Sequence, residues 1–211
     1  MSISPSKENI LKKIRKALSH STPLPFPQSE SNGTVFLSLQ QEAAVEFAEQ
    51  FTSLQGKFSY CLNAQELSAQ LNNLLAQQQW NKIYCREEKL KEMLRRNQFD
   101  NFSDVELKDC DASITGCEAL VARTGSLVMS AAQQSGRTVS VYAPVHICIA
   151  YANQLVYDLK DALQLLKDKY AGKIPSLITF ATGPSRTADI EKTLVVGVHG
   201  PKEVYLFLVE E

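Results

Sequence analysis

The sequence predicts an α/β fold, a mostly parallel sheet in three layers with helices on both faces. Three observations carry this. Helical and strand periodicities alternate between residues 37 and 97, as helix, strand, helix, strand, helix with short connections. Such alternation is the pattern of parallel strands joined by crossover helices. Two apolar runs, residues 145–150 and 204–209, are broken only by His146 and have the character of strands buried on both faces. Third, 211 residues with 44% hydrophobic and 21% charged content describe an ordinary globular domain, with room for an appended arm.

Each element has its own signal. In residues 6–20, Ile10, Leu11, Ile14, Ala17 and Leu18 recur at helical spacing, with Lys7, Lys12, Lys13, Arg15 and Lys16 on the other faces. This basic helix is read as docking on its own domain or on a twin subunit, so a homodimer is left open. Residues 21–34 carry three prolines and several serines, the composition of an extended linker. The expected division is therefore an arm and linker over 1–34 and one α/β domain over 35–211.

Within the domain, Ala44, Phe47, Ala48, Phe51 and Leu54 mark a helix that stops near Gly56, followed by a strand over 57–61. Asn63 with Glu66 is close to a capping box and opens a helix faced by Leu67, Leu71, Leu74 and Leu75. Residues 83–85 are a short strand and 87–97 a charged helix with Leu90 and Leu94 inward. Residues 99–112 read as a polar loop. Two apolar triplets, 120–122 and 127–129, enclose Arg123-Thr124-Gly125-Ser126. They are two adjacent short strands or one strand broken by a bulge. A helix over 157–170 and strands over 177–180 and 204–209 complete the chain. The last strand is expected inside the sheet.

Composition excludes several functions. A formal net charge of −1 gives no basic field for nucleic acid. No apolar run approaches a membrane span, and the polar, basic start lacks the apolar core of a signal peptide, so the reading is cytoplasmic with no membrane partner. No G-x-G, P-loop or G-x-S-x-G occurs. Cys61, Cys85, Cys110, Cys117 and Cys148 form no C-x-x-C, so structural thiols are expected, with no metal and no iron–sulfur cluster held by this chain alone.

The chemistry-bearing residues concentrate at 179–201, T-F-A-T-G-P-S-R-T-A-D-I-E-K-T-L-V-V-G-V-H-G-P. Gly183, Ser185, Arg186, Thr187 and Asp189 follow one apolar run, and His199 follows the next. Together with Thr124, Gly125 and Ser126 they offer backbone amides at glycine turns, hydroxyls and a guanidinium, a set suited to a small phosphate or carboxylate. The plainer reading stands beside it: Gly-Pro makes turns, Ser, Thr and Asp cap helices, and Asp189 and Glu191 favour a helix start. His199 is a candidate site group that Asp189 could orient. His146, in its apolar run, is read first as a satisfied core residue.

The segment I-T-F-A-T-G-P-S-R-T-A-D-I-E with L-V-V-G-V-H-G-P resembles the signature of the LUD-domain family, whose best-known members are called lactate utilisation protein C. Residues from about 111 onward agree, through I-T-G-C-E-A-L-V-A-R-T-G-S-L-V-M-S and G-R-T-V-S-V-Y-A-P-V-H-I-C-I-A. The resemblance implies a fold similar to ribose-phosphate isomerases and CoA-transferases. It also implies a role in oxidising L-lactate to pyruvate, alongside separate iron–sulfur oxidoreductase subunits. On that basis this chain would be an accessory or substrate-handling subunit, with clusters on its partners. The alternative is a free-standing enzyme or ligand sensor for a small phosphorylated or carboxylated metabolite. Where the family pattern has an acidic residue before T-G-T, this chain has Arg123, which disfavours a mechanism with a glutamate nucleophile.

Overall fold

A computed structural model describes residues 5–18, 41–190 and 193–210. The chain divides into two units. The first, 1–38, contributes helix α1 (Pro5–Leu18), on which Ile10 and Ile14 are exposed. The proline linker lies outside the described residues. The second unit, 39–211, holds every other element.

That unit begins with α2 (Ala43–Ser53), β1 (Lys57–Cys61), α3 (Ala64–Gln78), β2 (Ile83–Cys85), α4 (Glu88–Arg96) and β3 (Ala112–Thr115). There follow β4 (Ala119–Val121), β5 (Ser126–Ser130), α5 (Val139–Tyr142), β6 (Val145–Tyr151), β7 (Leu155–Val156) and α6 (Leu159–Lys169). β8 (Ile178–Ala181), β9 (Arg186–Ile190), β10 (Thr193–Val196) and β11 (Glu203–Val209) end it. The start of α3 follows its sequence signal. Asn63 Oδ1 accepts from the Glu66 amide at 2.9 Å, and Glu66 Oε2 accepts from the Leu62 amide at 2.8 Å.

The central sheet has five strands in the order β1-β11-β6-β3-β2, all parallel. The two apolar runs take inner positions because both of their faces are covered. Ile147, Ile149, Tyr205, Phe207 and Val209 point to a core with Leu67, Leu71, Leu75, Leu90 and Leu94 of α3 and α4. Cys148, Ala150, Val204, Leu206 and Leu208 point the other way, to Phe47 and Phe51 of α2 and to Leu120 and Leu127. Each fully buried leucine or phenylalanine here is worth about 1.5–3 kcal/mol. The α/β fold with a mostly parallel central sheet and helices on both faces is therefore as expected.

One layer goes beyond the sequence reading. Strands β7-β4-β5-β8 form a second, mixed sheet. The triplets around Thr124-Gly125-Ser126 are two strands, β4 and β5, paired antiparallel. Leu120 faces the central sheet, whereas Ala119, Val121 and Val128 face Ala162 and Leu166 of α6. Strand periodicity thus buries both faces of β4, and α6 closes the outside. Strands β9 and β10 pair antiparallel, with Arg186 opposite Val196. Arg186, Thr187 and Asp189 are consequently strand residues, and the helix start considered at Asp189 does not form. Glu191 lies outside the described residues.

Candidate functional site

The carboxyl end of β8 and the start of β5 are neighbours because the two strands pair antiparallel, Leu127 opposite Ala181. This brings the T-G-S and T-G-P turns together. Ser126 Oγ, buried, shares a hydrogen bond with Thr182 Oγ1 at 2.8 Å and another with Thr124 Oγ1 at 2.7 Å. The resulting chain of hydroxyls ties the two turns to each other.

Both glycines have a packing reason. Gly125 has φ of 60°, and a Cβ there would lie 2.6 Å from the Phe51 nitrogen and 2.9 Å from its Cα. Gly183 has φ of 80°, and a Cβ there would lie 2.6 Å from the Leu54 carbonyl oxygen. The last turn of α2 therefore rests directly on both turns, which only glycine permits. Arg186 completes this arrangement by donating from Nη2 to the same Leu54 carbonyl, a helix-end oxygen with no partner inside the helix. Thr124, Gly125, Ser126, Gly183 and Arg186 thus gather around one helix terminus.

Ser185 connects that cluster to the next loop. Its amide donates to the Pro201 carbonyl at 2.9 Å, and its carbonyl accepts from the Gly197 amide at 2.9 Å. The Lys202 amide in turn donates to the Pro144 carbonyl at 2.8 Å. Between the 197–202 loop and residues 141–144 lies an open cleft of ≈ 460 Å³ lined by His199, Lys202, Tyr142, Val141 and Val198 among others. His199, Lys202 and Tyr142 are exposed. Thr187 and Asp189 instead belong to strand β9. The predicted residues therefore divide between a packed junction, a cleft and a strand.

Their position in the sheet differs from the usual one. Open parallel sheets hold ligands at the carboxyl ends of their strands. Although the motif follows the carboxyl end of β8, that strand belongs to the second sheet. The 197–202 and 141–144 loops lead into β11 and β6, whose first paired residues are Glu203 and Val145. The cleft is thus at the amino ends of the parallel strands.

His146 is a core residue. Its Nε2 lies 2.8 Å from Thr115 Oγ1, and burial lowers its pKa to about 4. Arg123 is structural as well. Its Nε is 2.7 Å from Asp158 Oδ2, and Asp158 is buried and caps α6 through the Lys160 amide. Burial raises the Asp158 pKa, but the Arg123 guanidinium and the Lys160 and Leu159 amides outweigh this and the net direction is down.

Sequence reading missed Lys202 and Tyr142, whose only signals were a cation beside Gly200-Pro201 and an aromatic beside Pro144. It also passed over Glu118. This buried carboxylate accepts from Lys169 Nζ at 2.6 Å, Tyr170 Oη at 2.7 Å and Ser130 Oγ. It pins α6 to the second sheet, and no sequence spacing reveals such a junction. Among the described residues, no three His, Cys, Asp or Glu side chains converge as a metal site.

A family model described as LUD domain matches residues 44–209, most of the chain. The chain belongs to the LUD-domain family. Among its relatives, lactate utilization protein C of Bacillus licheniformis is 36% identical over 106 residues, 49% of this chain and 44% of that protein. The Deinococcus radiodurans protein of the same name is 32% identical over 108 residues, 51% of this chain and 50% of that protein. An uncharacterized protein of Neisseria meningitidis is 30% identical over 112 residues, 53% of this chain and 48% of that protein. The matches therefore span about half the length of these LUD-family relatives. The crystal structure of a DUF162 family protein from Deinococcus radiodurans shares the fold with a TM-score of 0.59. Its identity is 17%, with 79% of this chain and 96% of that chain covered.

Arg186 can be tested directly. Arg186→Lys keeps the charge and loses the fork that reaches the Leu54 carbonyl. Because Arg186 is exposed, we expect stability to fall by no more than about 1 kcal/mol, the worth of one hydrogen bond. Affinity for small carboxylates and phosphates should be unchanged. A tenfold loss of affinity without a change in melting temperature would return Arg186 to the binding site.

Proposed function

We propose that this LUD-family chain is the substrate-handling component of a lactate-utilising system, and that it holds a small 2-hydroxy or 2-oxo carboxylate in the cleft between His199 and Lys202. The observation that carries the reading is this cleft at the end of the family signature, where an ammonium and an imidazole stand beside the apolar Val141 and Val198. A short carboxylate has one charged end for Lys202 and a small apolar body for the valines. The names of the relatives supply the substrate class.

The placement of the five thiols supports a reading in which this chain holds no iron–sulfur cluster. All are buried and free of disulfides; Cys61 and Cys85 lie in the core on one face of the central sheet, and Cys117 and Cys148 in the core on the other. Burial pushes Cys61 up to about 11 and Cys85 up to about 12, so both are neutral thiols near pH 7 rather than thiolate ligands. In this reading, electron transfer resides on separate iron–sulfur subunits.

Calorimetric titration with L-lactate, pyruvate, acetate and glucose 6-phosphate tests the proposal. L-lactate or pyruvate should bind, and Lys202→Met, which keeps the aliphatic stem, should weaken binding at least about tenfold, the scale of a lost charged hydrogen bond. Unchanged affinity in Lys202→Met would refute the assignment to this cleft. Binding of glucose 6-phosphate alone would favour a handler of phosphorylated metabolites.

A further inference from the structure

A second, wider cleft of ≈ 880 Å³, whose lining shares no residue with the first, opens beside the carboxyl end of α3. It lies between the carboxyl end of α3 and residues 100–103, which run beside β2 through the bridge of Ile83 to Phe102. Its chemistry is unlike that of the first. Neutral amide side chains dominate the lining, with Asn72, Gln79 and Asn101 among them, and Trp80 and Phe102 supply aromatic surface. No lysine or arginine lines it, and its one charged group, Asp100, is held by Arg95 at 2.7 Å.

Several of these groups are fixed before any ligand arrives. Asn101 Nδ2 donates to Asn72 Oδ1 at 2.7 Å, and Asn72 Nδ2 donates to the Gln98 carbonyl at 3.2 Å. An amide has one acceptor oxygen and two donor hydrogens, so Asn101 keeps its oxygen and one hydrogen for a ligand. Trp80 stands edge-on to Tyr205, with ring centroids 5.7 Å apart and planes at 87°. Phe102 is braced in the same way against Phe99, at 5.4 Å and 74°. Braced side chains lose less freedom on binding than free ones, which favours recognition.

The ligand class follows from the lining. A phosphate or carboxylate would need a cation, and none lines the cleft. An aliphatic chain would leave the amides unpaired at a cost. A ligand that both donates and accepts at several points, is uncharged, and has one apolar face meets every group present. Sugar rings have that character, since their hydroxyls both donate and accept and their axial C–H bonds form a face that lies on an aromatic ring. A cleft within the usual 300–1,000 Å³ range has room for one or two such rings.

We propose that the cleft formed by Trp80, Asn72, Gln79 and Asn101 binds a neutral carbohydrate, as a free sugar or as the end of a polysaccharide. The chain contains a single tryptophan, so its emission reports on a residue that lines this cleft. The full chain is titrated with maltose, lactose, chitobiose and N-acetylglucosamine as free sugars and with soluble starch as a polymer. Glucose 6-phosphate and adenosine serve as a charged and a nucleoside probe. At least one neutral sugar or starch should produce a saturable change in emission, and which of the two responds identifies the source. Asn101→Ala should weaken that binding tenfold or more with an unchanged melting temperature, as expected for an exposed residue. Flat emission with every neutral probe overturns the proposal. So does an equal response in Asn101→Ala, or a response confined to glucose 6-phosphate or adenosine.

Discussion

Gly125→Ala is expected to destabilise the domain by about 2–4 kcal/mol, lowering its melting temperature by roughly 5–15 °C. Two costs add. Holding alanine at φ of 60° costs about 1 kcal/mol, because a Cβ crowds the following carbonyl in that region. The new methyl also meets backbone atoms of α2 at 2.6–2.9 Å, and backbone cannot move aside as a side-chain tip can. Gly136→Ala separates the two costs. That residue has φ of 66° and nothing within 4 Å of its Cβ position, so only the conformational cost of about 1 kcal/mol should remain. Equal losses in the two variants would mean that α2 does not rest on the T-G-S turn.

Acidification should reveal His146. The folded state holds its pKa at about 4 through burial, against 6.5 for the free side chain. Below pH 6.5 the unfolded chain takes up a proton that the folded chain refuses. Stability is therefore full above pH 6.5 and falls as the pH drops towards 4, by roughly 3 kcal/mol in total. Glu118 does not obscure this window. Burial raises its pKa, but Lys169, Ser130 and Tyr170 outweigh burial, so its net direction is downward from 4.5 and its loss comes at lower pH. Urea unfolding between pH 7 and 4.5 measures the slope. His146→Gln, which cannot titrate, should remove most of it. An unaltered slope in that variant would show that another group carries the acid sensitivity.

The parts of the fold that were legible have local causes. The Asn63 cap, the leucine stripe of α3 and the unbroken apolar run of β11 each declare themselves within a few residues. The second sheet was not legible, because three-residue strands such as β4 carry too little periodicity to show which faces they bury. The β9–β10 pair was hidden for another reason. Its residues Arg186, Thr187 and Asp189 looked like ligand groups, and polar strand residues give no alternating apolar signal.

The candidate site was legible as a region but not as a geometry. Thr124-Gly125-Ser126 and Gly183 do meet, yet their glycines answer to the backbone of α2, a segment more than seventy residues earlier in the chain than Gly125. Sequence shows that a glycine is present and not what approaches it. Lys202 and Glu118 make the same point. Their importance comes from a cleft and from a three-donor junction that form only after distant segments pack.

The proposed ligand site lies beside the amino ends of β6 and β11 and not inside the glycine junction. A crystal structure of the chain with bound pyruvate tests it most directly. The carboxylate of pyruvate is expected within hydrogen-bonding distance of Lys202 Nζ, its methyl group against Val141 or Val198, and the Thr124–Ser126–Thr182 hydroxyl chain unchanged. Pyruvate on those hydroxyls, or at the carboxyl ends of the parallel strands near Gly116, would contradict it.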